Sequence, residues 1–314
     1  IGIAICPLDA DTVSDLLKAA DTAMYVAKSQ GRNRYWFFTE NMSRRVEEKL
    51  ALENELHMAL LENQFLVYYQ PVITIDSQRL IGFECLLRWN HPVQGILSPA
   101  HFIEMLDETG LIKPVTLWLL QEIAVMYRQF AELGSDEMRL SINLTARMLQ
   151  DDEFSGQLLK HLMEKKSDPE KLVIELTEDA LSEYFEDANE TLQALRTLGV
   201  QIAIDDFGTG ESSLDHLRSF SFDYLKIDKS YVQDVMEDEG DASLVKAIIQ
   251  MGHSFGIEVV AEGVETSEQL SFLQSYGCDM MQGYLLSKPL PMDKALEFVE
   301  QHVVQSTQKL DIII

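Results

Sequence analysis

The residues best suited to chemistry in this sequence are carboxylates and amides that fall at or near the ends of its apolar runs. Gln70 lies in one such run, Glu84 and Arg88 in the next, then Asn143, then Glu175 and Glu178. The pair Asp205 and Asp206 follows, then Lys226 with Asp228, Glu262 with Glu265, and last Gln282. Singly, each has an ordinary explanation. An acidic residue after a strand serves as a helix cap or a solvated loop residue, and Lys226 alone reads as a surface lysine with a buried stem. The set is harder to dismiss, because Glu84 sits inside "FECLL", Glu175 inside "VIEL" and Asn143 inside "SINL". A buried carboxylate needs a partner or a metal. Oxygen-only donors select hard cations, Mg2+ or Mn2+, with Ca2+ binding in a different geometry. No histidine stands at these positions, which disfavours zinc.

Neighbouring side chains on a strand point to opposite faces, so adjacent aspartates pose a problem. It resolves if Asp205 points into a site and Asp206 sits just past the strand end, where the chain turns. Two cations about 3.5–4 Å apart then activate a water and stabilise a leaving oxygen in phosphoryl transfer. Lys226 would orient that water or offset charge, and the fork of Arg88 suits a phosphate oxygen. "FGTGESSL" after the pair reads as a plain turn or as a glycine-hinged segment that completes the site.

Positioning such a set requires many strand ends at one place. From residue 65 the chain alternates strand-like runs ("FLVYYQPVIT", "LIGFECLLRW", "MRLSINLT", "KLVIELTE", "VQIAIDDFG", "DYLKIDKSYV", "IEVVAEGVET", "CDMMQGYLL") with helical patterns. Eight strands separated by helices fit a (β/α)8 barrel, whose functional groups gather at the C-terminal strand ends. A doubly wound open sheet is the alternative, weakened by the lack of a glycine-rich loop after the first strand. Residues 1–38 read as strand, helix and tail, with Leu16, Leu17, Ala20, Ala23, Met24 and Ala27 at helical spacing and Gly31 as the stop. A charged helix over 40–63, with Val46, Leu50, Leu56 and Leu60 as its apolar stripe, reads as a connector.

Composition bounds the rest. The 314 residues are 46% hydrophobic, enough for a large folded core. No apolar run reaches the roughly 18 residues of a membrane span, and no signal peptide is visible. Cys6, Cys85 and Cys278 lack metal-type spacing and suit a reducing cytosol. A net charge of −27 disfavours sequence-blind binding of long nucleic acid but not of a small phosphorylated ligand near bound cations.

"FECLLRW" resembles the signature of the EAL-domain cyclic di-GMP phosphodiesterases. The resemblance spans roughly residues 45–303 and includes "YYQPV", "SPAHFIEMLDETGLI", "SINLTARML", "ELTED", "IDDFGTGESSL", "DYLKIDKSYV", "VVAEGVET" and "QGYLLSKPL". It implies a TIM-like barrel whose first strand is irregular and antiparallel, and hydrolysis of cyclic di-GMP to linear pGpG by two Mg2+ or Mn2+ ions that activate water. Position by position, Glu84, Asn143, Glu175, Asp205 and Asp206 match metal ligands, with Asp205 bridging. Lys226 matches the lysine that positions or deprotonates the water, Glu262 the glutamate supporting the cluster, and Glu178 the anchor of the glycine loop. Gln70, Arg88, Asp228, Gln282 and Pro289 match substrate-binding positions. Cys85 replaces the usual alanine or valine, and Glu211 stands where an aromatic is usual, a departure that bears on loop closure or dimer packing.

The first residues, with "LLKAADTAMYVAKSQGRNRYWFF", resemble the end of a GGDEF domain, whose own signature is missing. The expected organisation is a GGDEF-like fragment over 1–39, a linker helix over 40–63, an EAL barrel over 64–305 and a tail over 306–314. The resemblance further implies a cytoplasmic chain, tethered to a membrane only through upstream segments, with upstream GGDEF and sensor domains and a homodimer. Two other readings stay open: a catalytically silent cyclic di-GMP receptor, which generally loses ligands from the metal set, and an unrelated Mg2+-dependent barrel enzyme acting on a carboxylate.

Overall fold

The computed structural model describes residues 1–29, 33–164, 168–210, 217 and 220–311, so Gly31 and Glu211 lie outside it. The chain divides into two compact units, one of Ile1–Phe65 with Trp89–Ile112, the other of Leu66–Arg88 with the chain from Lys113 onward.

In the first unit, β1 (Gly2–Ile3) pairs in parallel with β2 (Trp36–Phe37) across the helix Val13–Ser29. That helix buries Ala19, Ala23 and Ala27, while Leu17 is exposed. Ala23 and Ala27 of the expected stripe are thus buried, where small side chains allow close approach, while Leu17 of the same stripe is not. The helix Glu40–Leu61 buries Leu56 and Ala59 completely, and Leu50, expected in its stripe, is exposed. This helix belongs to the same unit as residues 89–112. Aromatic packing gives the reason: Trp89 Nε1 donates to Gln64 Oε1 at 3.0 Å, and the rings of Phe65, Trp89 and Phe102 pack on one another in tilted and edge-on contacts.

The second unit is a closed barrel. Its eight strands are β3 (Phe65–Thr74), β4 (Leu80–His91), β6 (Arg139–Asn143), β7 (Leu172–Thr177), β8 (Gln201–Phe207), β9 (Tyr224–Ile227), β10 (Glu258–Ala261) and β11 (Met280–Met281). A short β5 (Gly95–Leu97) pairs with the end of β4, within the first unit. Neighbouring strands from β4 through β11 run parallel, β11 pairs antiparallel with β3, and pairing of β3 with β4 closes the ring. This is the barrel with an antiparallel first strand that the resemblance implied.

Helices alternate with the strands and cover the barrel, so both faces of most strands are buried and their sequences read as continuous apolar runs. Every residue of Tyr224–Ile227 is buried, Lys226 included. Phe83 anchors the packing between strand and helices, with ring centroids 6.4 Å from Tyr69, 5.9 Å from Phe130 and 6.2 Å from Phe298. Next to it Gly82 lets β4 approach β6, since a Cβ there would lie 2.0 Å from the Arg139 carbonyl oxygen. Among the described residues no helix is long and apolar enough to cross a membrane.

Candidate active site

Parallel pairing in register brings the functional side chains to one end of the barrel. Asn143 lies opposite Glu175, and Glu84 opposite Ser141. Lys226 rises between them with 3% of its surface exposed, which excludes a surface-lysine role. Its Nζ lies 2.6 Å from Glu262 Oε1, 2.7 Å from Glu175 Oε2, 3.1 Å from Asp205 Oδ1 and 3.8 Å from Glu84 Oε2. Amides complete the arrangement. Asn143 Nδ2 donates to Glu84 Oε1 at 2.9 Å. Gln282 Nε2 donates to Glu84 Oε2 at 2.5 Å and to Gln70 Oε1 at 3.1 Å. Gln70 Nε2 reaches the Ser287 carbonyl at 3.5 Å.

The adjacent aspartates are accommodated by a break in the strand. Pairing of β8 with β9 shifts register between Ile204 and Phe207, the signature of a bulge. Asp206 sits at that bulge with φ +53°, a left-handed conformation that aspartate tolerates better than most residues. Asp206 therefore lies inside β8, not past its end as expected. The bulge brings both carboxylates to one side, and ligand oxygens of Asp205, Asp206 and Glu262 all lie within 4.8 Å of one another.

The remaining candidates sit around this cluster. Glu178, 3% exposed, begins the helix Glu178–Thr197, and its Oε2 accepts from Gly208 N at 2.7 Å and Gly210 N at 3.2 Å. Arg88 is half-buried, donates from Nη1 to the Leu87 carbonyl, and lies 5.5 Å from the centre of the Tyr68 ring. Asp228 caps the helix Lys229–Asp234 by accepting from Ser230 N at 2.9 Å. Pro289 is part-buried beside Leu290, which exchanges backbone hydrogen bonds with Tyr69, one residue before Gln70. Glu265 stands apart. It is exposed, and its N–H meets Gln269 in the capping box of the helix Ser267–Ser275.

Electrostatics follow from crowding. Burial, with the nearby Glu84 and Asp205 charges, pushes Glu175 up to about 8 against the pull of Lys226. Burial and the charges of Asp205 and Asp228 push Asp206 up to about 6. Glu262 is raised well above the usual carboxylate range, first by burial. Burial works to lower the Lys226 pKa, but Asp205, Glu175, Glu262 and Glu84 together raise it well above its ordinary value, so it is an ammonium. One ammonium among five carboxyl groups cannot balance them all as carboxylates, which is why several are pushed to bind protons without a cation. All-oxygen donors with unbalanced charge suit hard divalent cations, so the residues present fit Mg2+ or Mn2+.

Sequence reasoning missed the Tyr68 ring beneath Arg88 and the Gln70–Gln282–Glu84 chain. Gln282 is only 4% exposed and spends its donors on protein partners, a buried arrangement that its position in a polar "QGY" segment did not reveal.

Residues 53–289 match the family model described as EAL domain, and residues 1–34 match part of the one described as Diguanylate cyclase, GGDEF domain. The chain is 38% identical over 303 residues to the Bifunctional diguanylate cyclase/cyclic di-GMP phosphodiesterase MucR of Pseudomonas aeruginosa, covering 95% of this chain and 44% of that protein. It is 36% identical over 291 residues to the Cyclic di-GMP phosphodiesterase PdeR of Escherichia coli, covering 93% of this chain and 44% of that protein. The chain thus spans less than half the length of these curated relatives. Among solved structures, the PaMucR phosphodiesterase in complex with c-di-GMP superimposes with a TM-score of 0.75 at 34% identity, covering 78% of this chain and 99% of that one. The EAL enzyme Bd1971 with cAMP and cyclic di-GMP bound gives a TM-score of 0.77 at 28% identity, covering 92% of this chain and 76% of that one.

Proposed function

The chain belongs to the EAL-domain family, and from that premise we propose that it hydrolyses one phosphodiester of cyclic di-GMP to give linear pGpG. The observation that carries this reading is the completeness of the oxygen set around the buried Lys226: none of the carboxylates or amides that the chemistry needs has been lost. Glu84, Asn143, Glu175, Asp205 and Asp206 would hold two Mg2+ or Mn2+ ions. When bound, the ions supply Lewis acidity that lowers the pKa of water and stabilises charge on the reacting oxygens.

The chain's own groups do the rest. Lys226 acts as an ammonium, so it orients the attacking water and offsets developing negative charge instead of removing a proton. Glu262 and Glu175 fix its position through the two shortest of its ion pairs, 2.6 and 2.7 Å. Gln282, braced by Gln70, and Asn143 hold the two oxygens of Glu84 in a fixed orientation. Arg88, backed by the Tyr68 ring, offers its fork to a non-bridging phosphate oxygen. Asp228, Gln70 and Pro289 line the substrate side. Attack in line with the departing 3′-oxygen cleaves one P–O bond and leaves a 5′-phosphate on pGpG. Glu178 holds the Gly208–Gly210 turn, and so the backbone that follows Asp206.

A silent receptor is not favoured, since such a module has no need of a complete ligand set. The match of residues 1–34 supports reading this chain as part of a GGDEF–EAL tandem with further upstream domains. A homodimer is part of the same reading, testable by light scattering. The activity test is incubation with cyclic di-GMP and Mg2+ followed by chromatography. Formation of pGpG, abolished in Glu84→Ala and Asp205→Asn proteins that remain folded, is the expected result. No pGpG with ample enzyme and metal would overturn the reading.

A further inference from the structure

The backbone just beyond Asp206 is held from two sides, and only one side involves Glu178. The Gly208 carbonyl accepts a hydrogen bond from the Tyr231 hydroxyl at 2.6 Å. Gly208 has φ +101°, and a Cβ there would come within 3.1 Å of the Tyr231 ring and 3.3 Å of Ile248 Cδ1, so glycine lets that ring lie directly on the backbone. A third bond, from Thr209 Oγ1 to the Asp206 carbonyl at 2.8 Å, closes the same turn.

Tyr231 lies on the helix Lys229–Asp234, which starts two residues after the end of the strand that carries Lys226. Asp228 caps this helix, and its charge is among those that act on Asp206. One short helix thus sets its cap charge near Asp206 and its Tyr231 hydroxyl on the Gly208 carbonyl. With the Gly208 N–H fixed by Glu178 and its carbonyl fixed by Tyr231, the peptides on both sides of this residue resist rotation. That constraint bears on Asp206, whose left-handed conformation is what places its carboxylate beside Asp205.

We propose that Tyr231 is a positioning residue, whose hydroxyl sets the geometry of the Asp205–Asp206 pair through the Gly208 carbonyl. Its kinetic consequence rests on the phosphodiesterase reading above, and its structural consequence does not. The ring alone cannot supply the effect, because packing against glycine leaves the carbonyl free to turn.

The test is Tyr231→Phe, which deletes the hydroxyl and keeps the ring. Loss of one hydrogen bond is expected to raise the Mg2+ concentration for half-maximal hydrolysis about five-fold, equivalent to about 1 kcal/mol. The KM for cyclic di-GMP at saturating Mg2+ is expected to stay within about two-fold, as for a residue that does not touch substrate. Hydrogen exchange at the Gly208 and Gly210 amides, read without substrate or turnover, is expected to accelerate by a similar factor. Tyr231→Leu, which removes the ring as well, is expected to exceed both effects. The proposal is overturned if Tyr231→Phe matches the parent in exchange and Mg2+ dependence, or if it lowers the melting temperature alone. Should the parent form no pGpG, the phosphodiesterase reading fails by itself, and the exchange rates still decide the role of Tyr231.

Discussion

Replacing Lys226 by methionine keeps an unbranched stem as far as Cε and deletes the one ammonium in the carboxylate nest. Its Nζ is 2.6 Å from Glu262, 2.7 Å from Glu175 and 3.1 Å from Asp205, with 3% of the residue exposed. At an effective dielectric constant of about 20, each of the closest pairs is worth about 6 kcal/mol of gross attraction. Most of that is cancelled by the desolvation of both partners, so the net loss is the cost of stranding buried charge, about 3–5 kcal/mol. For a chain of this size that corresponds to a fall in melting temperature of about 5–8 °C in EDTA. Divalent cations bound at the same carboxylates supply the missing positive charge. Mg2+ is therefore expected to raise the melting temperature of Lys226→Met by more than it raises that of the parent. Scanning calorimetry in EDTA and in Mg2+ checks both points. A fall of less than about 1.5 °C in EDTA, about what a single kilocalorie per mole produces, would refute the reasoning. An identical Mg2+ increment in both proteins would refute it equally.

Three further outcomes follow from the geometry. Glu178→Ala leaves the Gly208 and Gly210 amides without their acceptor, at about 1–3 kcal/mol each, and pGpG formation is expected to fall by roughly one to two orders of magnitude while far-UV circular dichroism is unchanged. Glu175 and Asp206 bind protons more tightly folded than unfolded, so their contribution is full below the unfolded values and is lost as pH rises through about 6 for Asp206 and about 8 for Glu175. In cation-free buffer the urea midpoint is thus expected to decline from pH 5 to pH 8, and a rise over that window would contradict the assignment. Phe83→Ala empties a site packed by Tyr69, Phe130 and Phe298, and a loss of about 3–5 kcal/mol is expected in urea titration with little change in slope.

Much of the barrel was legible because its strands carry their pattern locally. The run "FLVYYQPVIT" corresponds to β3 over its full length, Phe65–Thr74. The antiparallel direction of β3 was not in that pattern, since alternation does not encode the partner's direction, and it came from the family resemblance alone. Two leucines of the first two helices misled for a related reason. Hydropathy marks Leu17 and Leu50 as core residues, yet alanines allow closer packing and Leu17 and Leu50 remain exposed. At the site, residue types pointed to hard-cation chemistry and to Asp205 facing inward. What spacing could not show was how Asp206 joins it, because the bulge arises from pairing between β8 and β9 and not from either strand alone. The Tyr231–Gly208 contact links residues 23 positions apart and has no local signal.

The most direct measurement is a turnover of cyclic di-GMP in water enriched with 18O, with the product analysed by mass spectrometry. Attack by water at phosphorus with loss of the 3′-oxygen yields pGpG carrying one 18O on its 5′-phosphate in the presence of Mg2+ or Mn2+, and no product in EDTA. Recovery of bound but unchanged cyclic di-GMP with metal present, or of pGpG lacking the label, would contradict the account.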